Sequence, residues 1–196
     1  MKTFNIIFLG AALSLFGTVA PFQRTSFEEG KTKMPVIHQK QESACATCNP
    51  NAYIITLESR TLINGNWEWV WSIYNPNPGN GNNGTAQDLS HWGMQLASCV
   101  NWSSVIGAAY SSNGLSWTDF TPANQTETSQ NCMTSPVLKF DFGTTGGAKS
   151  YYKLVVSGDY SEGTARGYYK SGSKTGCCTI NFTGINDCGG PVEIVE

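Results

Sequence analysis

From Asn66 to Asn75 the chain reads NWEWVWSIYN, with Trp67, Trp69, Trp71 and Ile73 at every second position. A period of two is the repeat of a β-strand, whose side chains alternate between faces. The run after it, NPNPGNGNNGTAQDLSHW, is dominated by Asn, Gly and Pro and carries almost no charge, so it predicts an extended loop. Further strand-like runs fall at 52–63, 93–97, 105–111, 115–120, 137–142, 151–156, 165–170 and 177–182, and no helical period is sustained after residue 20. About nine short strands, punctuated by Gly, Asn, Pro and Ser, predict an all-β chain folded as an antiparallel β-sandwich of jelly-roll or immunoglobulin-like type.

Two Asn-Gly pairs mark hairpins, Asn64-Gly65 and Asn113-Gly114. The first can be paired in two ways. A two-residue loop places Trp67, Trp69 and Trp71 opposite Leu62, Arg60 and Glu58, with Arg60 over Trp69 as a cation–π contact. A three-residue loop, Ile63-Asn64-Gly65 with Gly65 left-handed, sets Leu57 opposite Trp71, Ile55 opposite Ile73 and Arg60 opposite Glu68. The second register separates apolar from charged faces more cleanly, and a one-residue slip inverts every side chain, so burial favours it. It sends the tryptophan ladder into the core.

The first twenty residues read as a secretory signal, with Lys2, an apolar stretch from Ile6 to Phe16, and the small residues Gly17, Thr18 and Ala20. Residues 21–44 are polar and aperiodic, the pattern of a flexible spacer. A single domain over 45–196 is then expected, and no stretch after the signal is long and apolar enough to span a membrane. Charged residues make up 13% of the chain and the net charge is −2, without the basic stripe that nucleic-acid binding needs.

Seven cysteines, at 45, 48, 99, 132, 177, 178 and 188, fit export into an oxidising compartment and a set of disulfides, the odd count leaving at least one free or paired with another molecule. Neighbours on a strand face opposite ways, so Cys177 and Cys178 are expected to serve different partners, drawn from Cys45, Cys48 and Cys188, with Cys99 and Cys132 as a separate pair. A zinc site built from Cys45, Cys48, Cys177, Cys178 and Cys188 is the competing use of the same thiols; the export signal favours disulfides. No metal or other cofactor is expected.

Asp88, Ser90 and His91 collect an acid, a hydroxyl and an imidazole within four residues. A catalytic triad is defined by geometry and an oxyanion hole, not by adjacency, and the plainer expectation is that Asp88 pins the loop while His91 satisfies groups at a strand entry. Asp88 is also the sole carboxylate of the 75–88 segment, too few for a calcium site. Glu58, Glu68, Asp119, Asp141 and Asp159 supply carboxylates of the type used in glycosidic cleavage, but no spacing singles out a pair.

Six tryptophans and eight tyrosines are a large supply of flat apolar surface for stacking on sugar rings or for protein contacts. In the doublets Tyr151-Tyr152 and Tyr168-Tyr169 one ring of each pair is expected to face outward. These four tyrosines, with Asn82, Asp88, His91 and Trp92 along the loop, are the candidate ligand-binding residues.

The segments WVWSIYNPNPGNGNNGTAQDLSHW, YSSNGLSWT, VLKFDFG, YYK and GCCT together are similar to small secreted β-sandwich proteins of Bacteroidota-type bacteria. The resemblance covers most of the chain beyond the spacer and transfers no catalytic or binding residue. The expected role is that of a secreted or cell-surface sandwich that binds a glycan or an extracellular protein, or serves structurally. The alternative is a secreted hydrolase using Asp88, Ser90 and His91.

Overall fold

The tryptophan strand pairs with its predecessor as the hairpin of β1 (Ile54–Ile63) and β2 (Asn66–Tyr74). Both turn residues have positive φ, 51° at Asn64 and 80° at Gly65, which makes a two-residue type I′ connection. Beside the turn the register is that of the two-residue loop, with Leu62 opposite Trp67 and Arg60 opposite Trp69. Farther on it is the other one, with Leu57 opposite Trp71 and Ile55 opposite Ile73. A bulge between Leu57 and Ser59 absorbs the extra residue, Glu58, and joins the two. The expected three-residue loop is corrected: Asn-Gly turn chemistry sets the near register, and burial of the ladder sets the far one.

This computed structural model describes residues 48–126, 133 and 135–187. The expected signal (1–20) and most of the spacer-to-domain boundary, with Cys45, Cys132 and Cys188, lie outside the described residues, as does the whole of the spacer (21–44). The remaining strands are β3 (Leu89–Gln95), β4 (Val105–Ser111), β5 (Thr118–Phe120), β6 (Asn124–Thr126), β7 (Pro136–Phe140), β8 (Lys149–Val156), β9 (Ser161–Ser171) and β10 (Cys177–Asp187). They form two five-stranded antiparallel sheets, ordered β1-β2-β8-β4-β5 and β10-β9-β3-β7-β6. The predicted sandwich is therefore present, with β6 as the strand that patterning misses. Its residues Asn124, Gln125 and Thr126 are polar and exposed at a sheet edge, so they carry no apolar period. Among the described residues no helix is long and apolar enough to cross a membrane.

The inner faces of the sheets make the core. Trp69, Trp71, Ile73, Tyr152 and Leu154 come from the first sheet, and Trp92, Met94, Leu138, Phe140 and Tyr169 from the second, all essentially without exposure. Trp92 stacks on Phe140 at 4.9 Å and meets the rings of Tyr152 and Phe182 edge-on at 5.1 and 5.7 Å. These orientations suit the quadrupoles of aromatic rings. Trp71 crosses between the sheets, its indole Nε1 donating to the Thr183 carbonyl at 2.8 Å.

A disulfide joins Cys48 to Cys178, 130 residues apart, and ties the approach to β1 onto the start of β10. Cys99 and Cys177 are each disulfide-bonded as well, and since Cys178 is joined to Cys48, the adjacent Cys177 and Cys178 do serve different partners. With Cys48 and Cys178 joined to each other, those two sulfurs are not free to be thiolate ligands of zinc.

Candidate binding surface

The 75–88 loop is held by its own polar groups. Gly79 donates to the Ala86 carbonyl and Ala86 to the Asn77 carbonyl, both at 2.8 Å, while the Asn75 side chain donates to Ala86 from within at 2.9 Å. At the tip, Asn82 is exposed; its amide donates to Asn80 Oδ1 and its carbonyl accepts from Thr85. The exit is pinned to the β9–β10 turn, where Gln87 donates to Thr175 Oγ1 and its Oε1 accepts from the Lys174 and Thr175 amides. The Tyr53 hydroxyl donates to the Gln87 carbonyl at 2.6 Å and lies 2.8 Å from Ser171 Oγ, which donates to the Asp88 carbonyl. Burial pushes the Tyr53 hydroxyl up to about 12, against the opposing bond from Ser171.

Asp88, Ser90, His91 and Trp92 diverge. Asp88 is exposed and its Oδ1 accepts the Gly146 amide at 2.7 Å, bracing the β7–β8 connection. A bulge between Leu89 and His91 makes Ser90 the extra residue, and His91 lies buried against Tyr168, with ring centroids 6.1 Å apart. The Ser90 hydroxyl stands 3.4 Å from His91 Nδ1, and Trp92 points into the core. The acid that would orient the imidazole is instead engaged with a backbone amide, so these residues do not assemble a triad.

The two tyrosine doublets have different surroundings. In β8, Tyr152 is fully buried and donates to the Phe142 carbonyl at 2.8 Å, while Tyr151 is half-buried on the outer face. Burial raises the Tyr152 hydroxyl far above its ordinary value. In β9, Tyr169 enters the core and donates to the Asn49 carbonyl, yet Tyr168 is fully buried too. Its ring lies against Gly93, where an added Cβ would come within 2.5 Å, and Met133 and Val137 complete a small cluster around it. The expectation of one outward, accessible ring in each doublet meets a covered outer face in β9. Tyr151 is the one candidate ring of the four with accessible surface.

Around Tyr151 the outer face of the first sheet is open and regularly built. Alternation places Glu68, Val70, Ser72 and Tyr74 of β2 and Lys149, Tyr151, Lys153 and Val155 of β8 opposite the core residues. Lys149 sits 6.0 Å from the ring centroids of both Tyr74 and Tyr151 and pairs with Glu58 at 3.3 Å. Lys153 sits 4.6 Å above the Trp117 ring and pairs with Glu68 at 2.9 Å. Glu58, pushed out by the bulge, also accepts the Ser72 hydroxyl; that bond, with Lys149 beside it, holds its carboxyl below the ordinary value. Tyr74, Tyr151 and Trp117 are each half-buried, with the Gly114 turn packed on the Tyr151 ring.

Tyr74, Trp117, Lys149 and Lys153 were not among the candidates read from the sequence. Tyr74 was legible by parity, as it is the residue of β2 that alternates out of phase with the tryptophans. Trp117 was not, because it lies just before β5, where strand alternation does not set its direction. Of the other carboxylates, Asp141 pairs with Lys139 at 2.8 Å and Asp159 with Arg60, while Asp119 has no ion-pair partner among the described residues. Arg60 in turn lies 3.8 Å from the Trp67 ring and 5.2 Å from that of Trp69, the cation–π contact of the near register.

The fold is an antiparallel, disulfide-bonded β-sandwich, and among the described residues no other strand covers the outer face of its β1-β2-β8-β4-β5 sheet. No protein-family model matches the chain, and no curated protein matches it.

Proposed function

We propose that this chain is a secreted or cell-surface binding module whose ligand is carbohydrate, taken up on the outer face of the β1-β2-β8-β4-β5 sheet. One observation carries the reading: Tyr74 and Tyr151 stand half-exposed on that face among ion pairs, with Trp117 beside Lys153, while Trp69, Trp71 and Tyr152 of the same strands are packed inward. Rings with one accessible face stack on the C–H face of a sugar, and neighbouring charged groups accept and donate hydrogen bonds to its hydroxyls. The signal-like first twenty residues and the Cys48–Cys178 disulfide support an oxidising, external location.

The test is affinity electrophoresis through gels containing soluble polysaccharides, comparing the wild-type chain with Tyr151→Ala and Trp117→Ala. The wild type should be retarded, and each variant should bind about tenfold more weakly, the loss of one stacking contact of roughly 1.4 kcal/mol. Circular dichroism should show both variants folded. Retardation undiminished in both variants, or none for the wild type in any gel, would remove this reading.

A further inference from the structure

We infer that the ligand is a neutral glycan, and that its hydroxyls are held in a groove cut along β4 between Asp119 and Lys153; this rests on the carbohydrate reading above. The groove exists because β4 carries the small residues Gly107 and Ala109 on its outer face, with Ile106, left over at the β4 bulge, exposed at its rim. Ala109 is flanked by Lys153 of β8 on one side and Asp119 of β5 on the other, and Gly107 follows it on the same face opposite Val155. Ala109 is itself buried, so the open floor of the trough lies at Gly107, between strands two spacings apart, about 10 Å. Its volume is about 550 Å³, and Pro122 closes the β5 side. That is in the range of small-ligand sites, roughly 300–1,000 Å³.

The charges decide the class of ligand. Lys153 already contacts Glu68, and Lys149 already contacts Glu58. Asp119 stands on the opposite wall with no ion-pair partner among the described residues. A uronate entering here would meet an uncompensated carboxylate at short range and no free cation, which disfavours it. A neutral sugar meets complementary groups instead: its hydroxyls donate to Asp119 in charge-assisted bonds and accept from the ammonium hydrogens that Lys153 does not give to Glu68. Val155, Pro122 and the Trp117 ring beside Lys153 supply the apolar surface for its C–H face.

Two surface substitutions test the groove separately from the aromatic face. Gly107→Gln fills the trough at a position where an added Cβ has only ordinary contact, 3.7 Å to Val155, and Asp119→Ala removes the acceptor. The probes are soluble β-glucan, xylan, galactomannan and polygalacturonate, each cast in an affinity gel. The wild type should be retarded by at least one neutral polymer and not by polygalacturonate, and both variants should weaken that retardation about tenfold. Binding lost in Tyr151→Ala and Trp117→Ala but kept in Gly107→Gln and Asp119→Ala would overturn the groove and leave the carbohydrate reading standing. A preference for polygalacturonate would overturn the neutral class. No retardation by any polymer would sink both proposals.

Discussion

The chain contains the tripeptide Tyr-Tyr-Lys twice, at Tyr151-Tyr152-Lys153 in β8 and at Tyr168-Tyr169-Lys170 in β9. In each the second tyrosine enters the core and the first points away from it, as strand alternation demands. There the likeness ends. Tyr151 lies on an open face beside Lys149 and Tyr74, whereas Tyr168 is sealed between Gly93, His91, Met133 and Val137. The same local code yields a candidate ligand contact in one sheet and a second small core in the other. What separates them is the layer above each strand, which is contributed by residues distant in the chain.

The largest effects should come from truncating the rings themselves. Tyr152→Ala and Tyr169→Ala each remove a fully buried ring and should cost about 3–5 kcal/mol in urea unfolding. Tyr168 is fully buried, so Tyr168→Ala should cost a comparable amount, whereas Tyr151→Ala should stay within about 1 kcal/mol. Equal costs for Tyr151→Ala and Tyr168→Ala would collapse the distinction between the two faces.

The glycines beneath the two faces sharpen the same contrast at smaller scale. Gly93→Ala drives a methyl into the Tyr168 ring and toward the Leu138 carbonyl, 2.8 Å away, and should destabilise by about 1–3 kcal/mol. Gly107→Ala, on the open face, meets nothing closer than 3.7 Å and should be nearly neutral. Thermal unfolding of the pair reads the difference directly.

Next come the two ends of the pH scale. Tyr53 packs edge-on against Tyr169 at 4.8 Å, and its hydroxyl is raised to about 12 in the fold against an ordinary value near 10. A raised value means that its contribution is complete below about pH 10 and is lost as pH climbs through 12. Tyr53→Phe should therefore cost about 1 kcal/mol at neutral pH and flatten the alkaline limb of the stability curve.

The smallest effect is expected beside Tyr151. Glu58 is held below its ordinary value by the Ser72 hydroxyl and by Lys149, so its contribution is present above the ordinary carboxylate value and fades as pH falls through the lowered one. The pair is largely exposed, which limits the effect to less than about 1 kcal/mol. Glu58→Gln should reduce the acid dependence slightly and leave the alkaline limb untouched; an altered alkaline limb would contradict this placement.

Much of the sandwich was readable from local pattern. The tryptophan ladder announced β2 and its inward face because Trp67, Trp69, Trp71 and Ile73 repeat with period two. The hairpin was harder, since Asn64-Gly65 and the apolar pairing favour registers one residue apart, and the bulge at Glu58 satisfies both. The early start of β3 was hidden in the same way, by the extra residue Ser90. Of the candidate surface, Tyr151 was legible. Lys153 and Asp119 were not, because they meet only across Ala109 of a strand that lies between them in space and not in sequence.

By itself the sequence determined the strand class, the alternation of faces and the turn chemistry at Asn64-Gly65, all of which depend on a residue and its near neighbours. Tertiary structure alone decided which outward face is covered, how the Cys48–Cys178 bridge is drawn, and that small residues on β4 lie between long ones on β8 and β5. The reason is physical: side-chain direction is fixed by backbone geometry over two residues, whereas burial and grooves are fixed by what packs on top, and that comes from segments up to a hundred residues or more away.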